Sequence, residues 1–426
     1  MNSVDNAGSG LKPSKFRTAL LACGACFSGV VLGLSLNAVT HLGGLIGFGG
    51  ALGVLLGSAM LSALAMPFIY FIVNRVGVGL WGRYHFLLAL TVLVTAFCLA
   101  MSFAVGESWH RAAQYVVLCV CMPLALSGIM ALEYIFFSVN VRLLGEKRCG
   151  FAVTCVEFVL GVLIGAAVSL MPFFGSGSDS VGYALGCLVL AVGCLFYFAS
   201  VGYLPRFVRP LSVKVTFPLL KEMFLKKPSH KAVFSAVALF SVLAASGLML
   251  GYLPQYVSGF LLAGYVTPVI ALLSVLAATA AFALFRRFKA PSAVSIAGSC
   301  VAVLAMTAIA VLTLTLPLEG YVLSLVLGAS LCVGGFGIGM SVSALTRCLK
   351  EATDGTAAGV KFCLGIMTVC FSLGVGAALA AACCLFSVGV AVTIAPFACA
   401  ALGVSSLVLS ALLSAREKKR KEVTEN

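Results

Sequence analysis

The sequence predicts an all-α polytopic membrane protein with twelve transmembrane helices, arranged as two six-helix bundles with both termini in the cytoplasm. Three observations predict this class. Of the 426 residues, 62% are hydrophobic and 9% are charged, whereas soluble domains have about 25% charged residues. Apolar runs long enough to cross a bilayer recur along the whole chain, and the basic residues fall in alternate loops between those runs.

The apolar runs give the helix count. A helix needs about 20 predominantly apolar residues to cross the hydrocarbon core of a membrane. The predicted spans are 18–39, 46–73, 84–105, 114–139, 150–172, 181–204, 232–254, 259–285, 292–316, 321–345, 361–386 and 390–414. The first run is longer than the core of a signal peptide, which has about 7–15 apolar residues, so we expect it to be retained.

The basic residues test this count independently. Loops on the cytoplasmic side of a membrane carry an excess of Lys and Arg. When the segments are numbered alternately from an inner N terminus, all 27 Lys and Arg residues except Arg111 fall on the inner side. Trp81 and Trp109 bracket the third span, where interfacial anchors are expected. The net charge of +14 therefore reflects the basic residues of the cytoplasmic loops, and no nucleic-acid partner is predicted.

The chain divides near its middle at the longest inner loop, which carries seven basic residues. The predicted segments are a cytoplasmic tail (1–17), a first bundle (18–204), a basic central loop (205–231), a second bundle (232–414) and a basic cytoplasmic tail (415–426). A shift of the first half by 212 positions places Arg75 on Arg287. Duplication of this kind is typical of secondary carriers.

We predict neither an enzyme nor a cofactor. The sequence holds no phosphate-binding loop, no cluster of metal ligands and no nucleophile–base pair, and no polar segment is long enough for an ATP-binding domain. The 17 cysteines lie almost all inside apolar runs, and we interpret them as packing residues. An ion gradient or the gradient of the cargo itself is then the expected source of energy.

The segment after the second span reads "YFIVNRVGVGLWGR" (70–83). It resembles the signature of the major facilitator superfamily, a Gly–three–Asp-Arg–any–Gly–basic pattern. Asn74, Arg75 and Gly77 fall on the Asp, Arg and Gly positions of that signature. The positions that depart from the pattern are Tyr70 for the leading Gly, Asn74 for the Asp, and Val78 and Gly79 for the basic pair.

The resemblance implies two six-helix bundles around a central cavity, lined by the first, fourth, seventh and tenth helices. It also implies that Asn74, Arg75 and Gly77 form a gating loop that latches the two halves together. In the family this latch is a charge relay, and Asn at the acidic position makes it weaker or limits it to hydrogen bonds.

Two glutamates stand inside apolar spans. Glu133 and Glu157 each lie twelve residues from Gly145, which is central to an inner loop, so antiparallel helices would hold them at one depth near the midplane. A charge there costs about 2.5–3.5 kcal/mol. Desolvation and mutual repulsion disfavour two ionised carboxylates. This pattern predicts either proton coupling or attraction of a cation; alternatively, the two groups are protonated and join neighbouring helices by hydrogen bonds.

Other polar residues in or beside the spans are candidate hydrogen-bonding groups of the cavity, or else packing residues. They are Asn37, Tyr134, Tyr252, Gln255 and Thr267. Lys361 lies at an inner helix end, and the spans contain no other Lys or Arg that would bind a strongly anionic cargo. No metal site is predicted.

The resemblance implies a monomeric secondary transporter in a bacterial cytoplasmic membrane. We expect it to move a small cationic or neutral amphiphilic molecule, driven by a proton gradient, with export favoured over import. The alternative is a non-transporting sensor or scaffold related to the membrane part of bacterial response-regulator-type transcription factors.

Overall fold

The structure is a computed structural model. It describes residues 45–77, 81–106, 108–144, 237–238, 241, 273–274, 276–278, 280–285, 288, 291–315, 321–352, 358–385, 394, 397–409 and 411–412. The long helices among them are α1 (Phe48–Gly77), α2 (Trp81–Ala104), α3 (Arg111–Leu144), α4 (Pro291–Thr315), α5 (Tyr321–Ala352) and α6 (Ala358–Cys384). Throughout this part of the chain the regular structure is helical, as the sequence predicted.

These helices coincide with six of the predicted spans but are longer at their ends. Arg75 and Arg142 belong to the last turns of α1 and α3, and Arg111 is the first residue of α3. With 34 residues, α3 extends over about 51 Å, whereas the hydrocarbon core is about 30 Å thick. The backbone therefore stays helical past the apolar run and carries the interfacial charges on its ends. The predicted spans 18–39, 150–172 and 181–204 lie outside the described residues.

The described helices have the surface of an integral, multi-pass membrane protein. Within the described residues, α1, α3 and α6 contain apolar stretches long enough to cross a bilayer, Gly49–Val73, Arg111–Ile135 and Phe362–Ala382. Large apolar side chains also point outward from several helices: Phe68, Leu93, Phe97 and Leu304 are each more than 60% exposed. Water-soluble monomers rarely show such apolar surfaces, whereas lipid accepts them.

Small residues bring the helices of each half together. In the first half, Ser62 of α1 and Ser127 of α3 hydrogen-bond to each other at 3.0 Å between their hydroxyl oxygens. In the second half, Ser341 of α5 donates to the carbonyl oxygen of Ser295 of α4 at 3.1 Å, and its hydroxyl lies 3.3 Å from that of Ser299. Close backbone approach through small residues is the usual way in which membrane helices pack.

The two predicted halves meet where α6 packs along α1. Ala377 of α6 shares one buried cluster with Leu52 of α1, and Cys363 shares a second cluster with Tyr70. The later part of α6 therefore lies beside the earlier part of α1, and the two helices run antiparallel. A helix of the predicted second half thus completes the core of the first.

Candidate functional site

Glu133 lies in α3, about 8 Å past the middle of that helix toward its C-terminal end. Its carboxylate-bearing side chain is half-buried. The exposed apolar face of α3 includes Leu124, which is 47% exposed and precedes Glu133 by nine residues, or about two and a half turns. Glu133 therefore projects from the opposite side of the helix, away from this exposed face.

The helix face that carries Glu133 is packed. Met130 and Leu126, one and two turns before it, are 4% and 3% exposed, and Phe137, one turn after it, is 7% exposed. All three belong to the core cluster shared by α1, α2, α3 and α6. The acidic side chain thus stands on the side of α3 that faces the protein interior, where a carboxyl group is positioned to take part in proton exchange or in hydrogen bonding between helices.

One turn from Glu133 lies a group of four aromatic rings, which we name the aromatic cluster: Tyr70, Tyr134, Phe137 and Phe362. The rings of Phe137 and Phe362 are stacked, with centroids 4.0 Å apart and planes inclined by 3°. Tyr134 packs at 6.2 Å from Phe362 and meets Tyr70 edge-on at 5.2 Å. The cluster joins α1, α3 and α6, and therefore joins the two predicted halves.

The signature residues follow Tyr70, a member of this cluster, at the C-terminal end of α1. Asn74, Arg75 and Gly77 form the last turn of α1, and the connection to α2 comprises only residues 78–80. The expectation that they lie in a loop is therefore corrected: the helix continues to Gly77, since Asn and Arg are compatible with a helical backbone. Tyr70, which replaces the leading Gly of the signature, is 1% exposed.

Of the residues predicted for the site, the structure places Tyr134 next to Glu133 and packs its ring between three helices. Glu157, Asn37, Tyr252, Gln255 and Thr267 lie outside the described residues. Phe137 and Phe362 were not among the residues predicted for the site. The only sequence signal for Phe137 is its helical spacing from Tyr134, and nothing in the sequence pairs either residue with Phe362, 225 positions further along the chain.

The described residues contain no group of three or more His, Cys, Asp or Glu side chains that could hold a metal ion. Their polar chemistry consists mainly of hydroxyl groups bonded within their own helices. Thr368 donates to the carbonyl of Leu364, and Ser372 donates to that of Thr368. Such bonds satisfy a hydroxyl inside an apolar environment without a second helix.

Comparison with known proteins rests on the fold. No protein-family profile matches this sequence, and no curated protein is similar to it. Among solved structures, the nucleoside transporter NupG in a mutant form has a TM-score of 0.68 and 14% identity, covering 94% of this chain and 99% of that one. NupG without that mutation has a TM-score of 0.65 and 15% identity, over 94% and 98% of the two chains.

A third structure is similar to the same extent. It is a bacterial homologue of the iron transporter ferroportin in an outward-facing state, with a TM-score of 0.65, 13% identity, and coverage of 94% of this chain and 99% of that one. Two of these structures are of a nucleoside transporter, and the third is of a homologue of an iron transporter. The chain therefore has the fold of these transporters, which is the fold that the resemblance to the major facilitator superfamily implied.

Proposed function

We propose that this protein is a secondary active transporter of the major facilitator type, which exports a small cationic or neutral amphiphilic molecule in exchange for protons. The observation that carries the proposal is the position of Glu133. An acidic residue lies inside a membrane helix, turned away from the exposed apolar face, one turn from the contact between the two predicted halves. We expect a monomer in a bacterial cytoplasmic membrane.

Proton exchange follows from the physical chemistry of a carboxyl group in an apolar bundle. Its charged form is poorly solvated there, so the group takes up a proton whenever its surroundings become dry and releases it when water or a cation arrives. Glu157, which the sequence predicts at the same depth on the next helix, supplies a second carboxyl group. Two such groups close together cannot both remain ionised, which favours the transfer of a proton during each cycle.

The proposed cargo class follows from charge. Apart from Lys361 near the start of α6, the predicted spans hold no Lys or Arg that could bind an anion. The fold neighbours are a nucleoside transporter and a homologue of an iron transporter. A nucleoside is uncharged and an iron ion is a cation, so neither kind of cargo would need a basic residue in the pathway.

Reconstituted vesicles test the proposal. Purified protein is placed in liposomes containing a pH-sensitive dye, and a panel of uncharged nucleosides, cationic amphiphiles and ferrous iron is applied. We expect at least one compound class to drive proton movement, and Glu157→Gln to abolish that movement. Glu146→Gln, which changes a glutamate in the predicted inner loop, is the matched control and should retain it. Undiminished proton flux in a Glu133→Gln, Glu157→Gln double variant would refute the coupling mechanism.

A non-transporting sensor is the second candidate function, favoured by the altered signature. Asn74 replaces the acidic residue of the family pattern, and Val78 and Gly79 replace its basic pair. A sensor should bind one compound of the same panel, detected as a rise in thermal stability, but it should move neither that compound nor protons. If any radiolabelled compound of the panel is taken up into the vesicles, the protein is a transporter and the sensor hypothesis is excluded.

A further inference from the structure

The aromatic cluster lies at one end of the bundle. Phe362 follows the first residue of α6 by four positions, and Phe137 precedes the last residue of α3 by seven. Both rings are therefore attached within about 6–11 Å of their helix ends. Arg142 lies in the last turns of α3, and the distribution of basic residues assigns this end to the cytoplasm.

The cluster is also the place where α3 and α6 are joined by ring contacts. The stack of Phe137 on Phe362 links a helix of the first half to a helix of the second. Cys363, the neighbour of Phe362, is 0% exposed, and Tyr134 on the other side of the junction is 2% exposed. Packing of this kind excludes solvent from the space between α1, α3 and α6 at the cytoplasmic end.

The contact is of a kind that can open and close. Aromatic stacking adds an attraction beyond the burial of area but forms no covalent bond between the two helices. Apolar burial as such does not drive helices together in lipid. When water enters from the cytoplasm, however, separating the rings exposes apolar surface to it and becomes unfavourable. The attraction between the two rings is therefore strongest when water could reach them, and it keeps this end of the pathway closed to water.

We infer that Phe137 and Phe362, supported by Tyr70 and Tyr134, form an aromatic latch that closes the pathway between the two halves at the cytoplasmic end and opens once in each transport cycle. The inference rests on the proposed function, because a latch of this kind serves alternating access. It assigns a role to Phe137 and Phe362, which lie outside the signature segment and outside the acidic pair.

Native cysteines report the state of the latch. Cys363 lies beside Phe362 and is fully buried, Cys98 is buried at the contact of α2 and α3, and Cys119 is exposed on α3. Inside-out vesicles are treated with N-ethylmaleimide, and the modification of each cysteine is followed by peptide mass spectrometry. Phe137→Ala should raise the labelling rate of Cys363 by about 2- to 12-fold, as expected for the loss of one aromatic pair.

Three controls make the labelling decisive. Phe97→Ala removes a ring that is 64% exposed on α2 and should leave Cys363 protected. Cys119 should be labelled equally in all variants. An unchanged rate at Cys363 in Phe137→Ala overturns the latch, and so does a parallel rise at Cys98, because general loosening of the helices would then explain the result. Labelling needs no cargo, so this outcome is independent of whether transport is found.

A cross-link gives a second measurement that does not depend on the stability of the alanine variant. Phe137→Cys combined with Phe362→Cys should form a disulfide under mild oxidation, detected as linked peptides, with Phe137→Cys alone as the control for pairing with Cys363. The cross-linked protein should be inactive in the vesicle assay, and reductant should restore its activity. Failure to form the link, or transport that continues in its presence, overturns the inference.

Discussion

Gly298 of α4 and Gly337 of α5 approach each other reciprocally. A Cβ atom added to Gly298 would lie 2.5 Å from the carbonyl oxygen of Gly337, and one added to Gly337 would lie 2.6 Å from the carbonyl oxygen of Gly298. Both neighbours are backbone atoms, which cannot rotate away as a side chain can. The close spacing of the two helices therefore requires glycine at both positions.

Gly337→Ala should lower the stability of the protein by about 1–3 kcal/mol, the range found for overpacking of a tight interior. The added methyl group forces α4 and α5 apart and weakens the contact of Ser341 with the backbone of Ser295. Thermal unfolding in detergent measures the effect. Gly53→Ala is the control, since no described atom lies within 4 Å of a Cβ at Gly53; it should keep or raise the melting temperature, and an equal loss in both variants would contradict the explanation.

Gly374 of α6 should respond differently to the same change. A Cβ there would meet the terminal methyl group of Met60, at the contact between the two predicted halves. Because that group is the flexible end of a side chain, Gly374→Ala should shift stability by no more than about 1 kcal/mol. Gly374→Leu cannot be accommodated by one methionine and should cost at least about 1–3 kcal/mol. The same unfolding assay checks this, and an alanine variant as unstable as the leucine variant would contradict it.

The hydrogen bond between Ser62 and Ser127 should contribute modestly. Interhelical hydrogen bonds in membrane proteins contribute about 0.6 kcal/mol on average, because the separated helices also find partners. A double-mutant cycle with Ser62→Ala, Ser127→Ala and the combined variant should therefore give a coupling energy of about 0.5–1 kcal/mol. A coupling energy of zero would contradict this. It would show that each hydroxyl group can find a separate hydrogen-bond acceptor, as the hydroxyl of Ser58 does by donating to the carbonyl oxygen of Val54.

Gln114 offers a test at the opposite end of α3. Its Nε2 donates to the carbonyl oxygen of Gly106 at 2.8 Å, while its Oε1 is buried and has no hydrogen-bond partner within the described part of the chain. Gln114→Leu removes both the bond and the unpaired oxygen, and Gly106 still accepts from the backbone N–H of Trp109. We expect a change within about 1 kcal/mol.

Gln114→Glu is the matched polar variant. At neutral pH it places a buried carboxylate beside the Gly106 carbonyl oxygen without a donor, which should destabilise the protein by about 3–5 kcal/mol. At acidic pH the protonated carboxyl group can donate to Gly106, so the loss should shrink. Melting temperatures at two pH values measure this difference, and a glutamate variant as stable as the leucine variant at neutral pH would contradict the burial argument.

The class of protein, the approximate spans of the described helices and the expected side of each loop could be predicted from the sequence. These properties are local, because the bilayer acts on each segment separately: an apolar run of sufficient length forms a helix, and the basic residues next to it are expected on the cytoplasmic side. Glu133 was visible for the same reason, as an acidic residue in an apolar run. The fold is the one that the signature at Asn74, Arg75 and Gly77 suggested.

The contacts between helices, in contrast, could not be predicted from the sequence. The pairing of α6 with α1, the stack of Phe137 on Phe362 and the orientation of Glu133 toward the packed side of α3 depend on contacts between distant segments. In lipid, two apolar faces gain little from merely meeting, so the pairing of helices follows from the detailed fit of small residues and rings. That fit depends on shapes from several helices together, and no single stretch of sequence contains it.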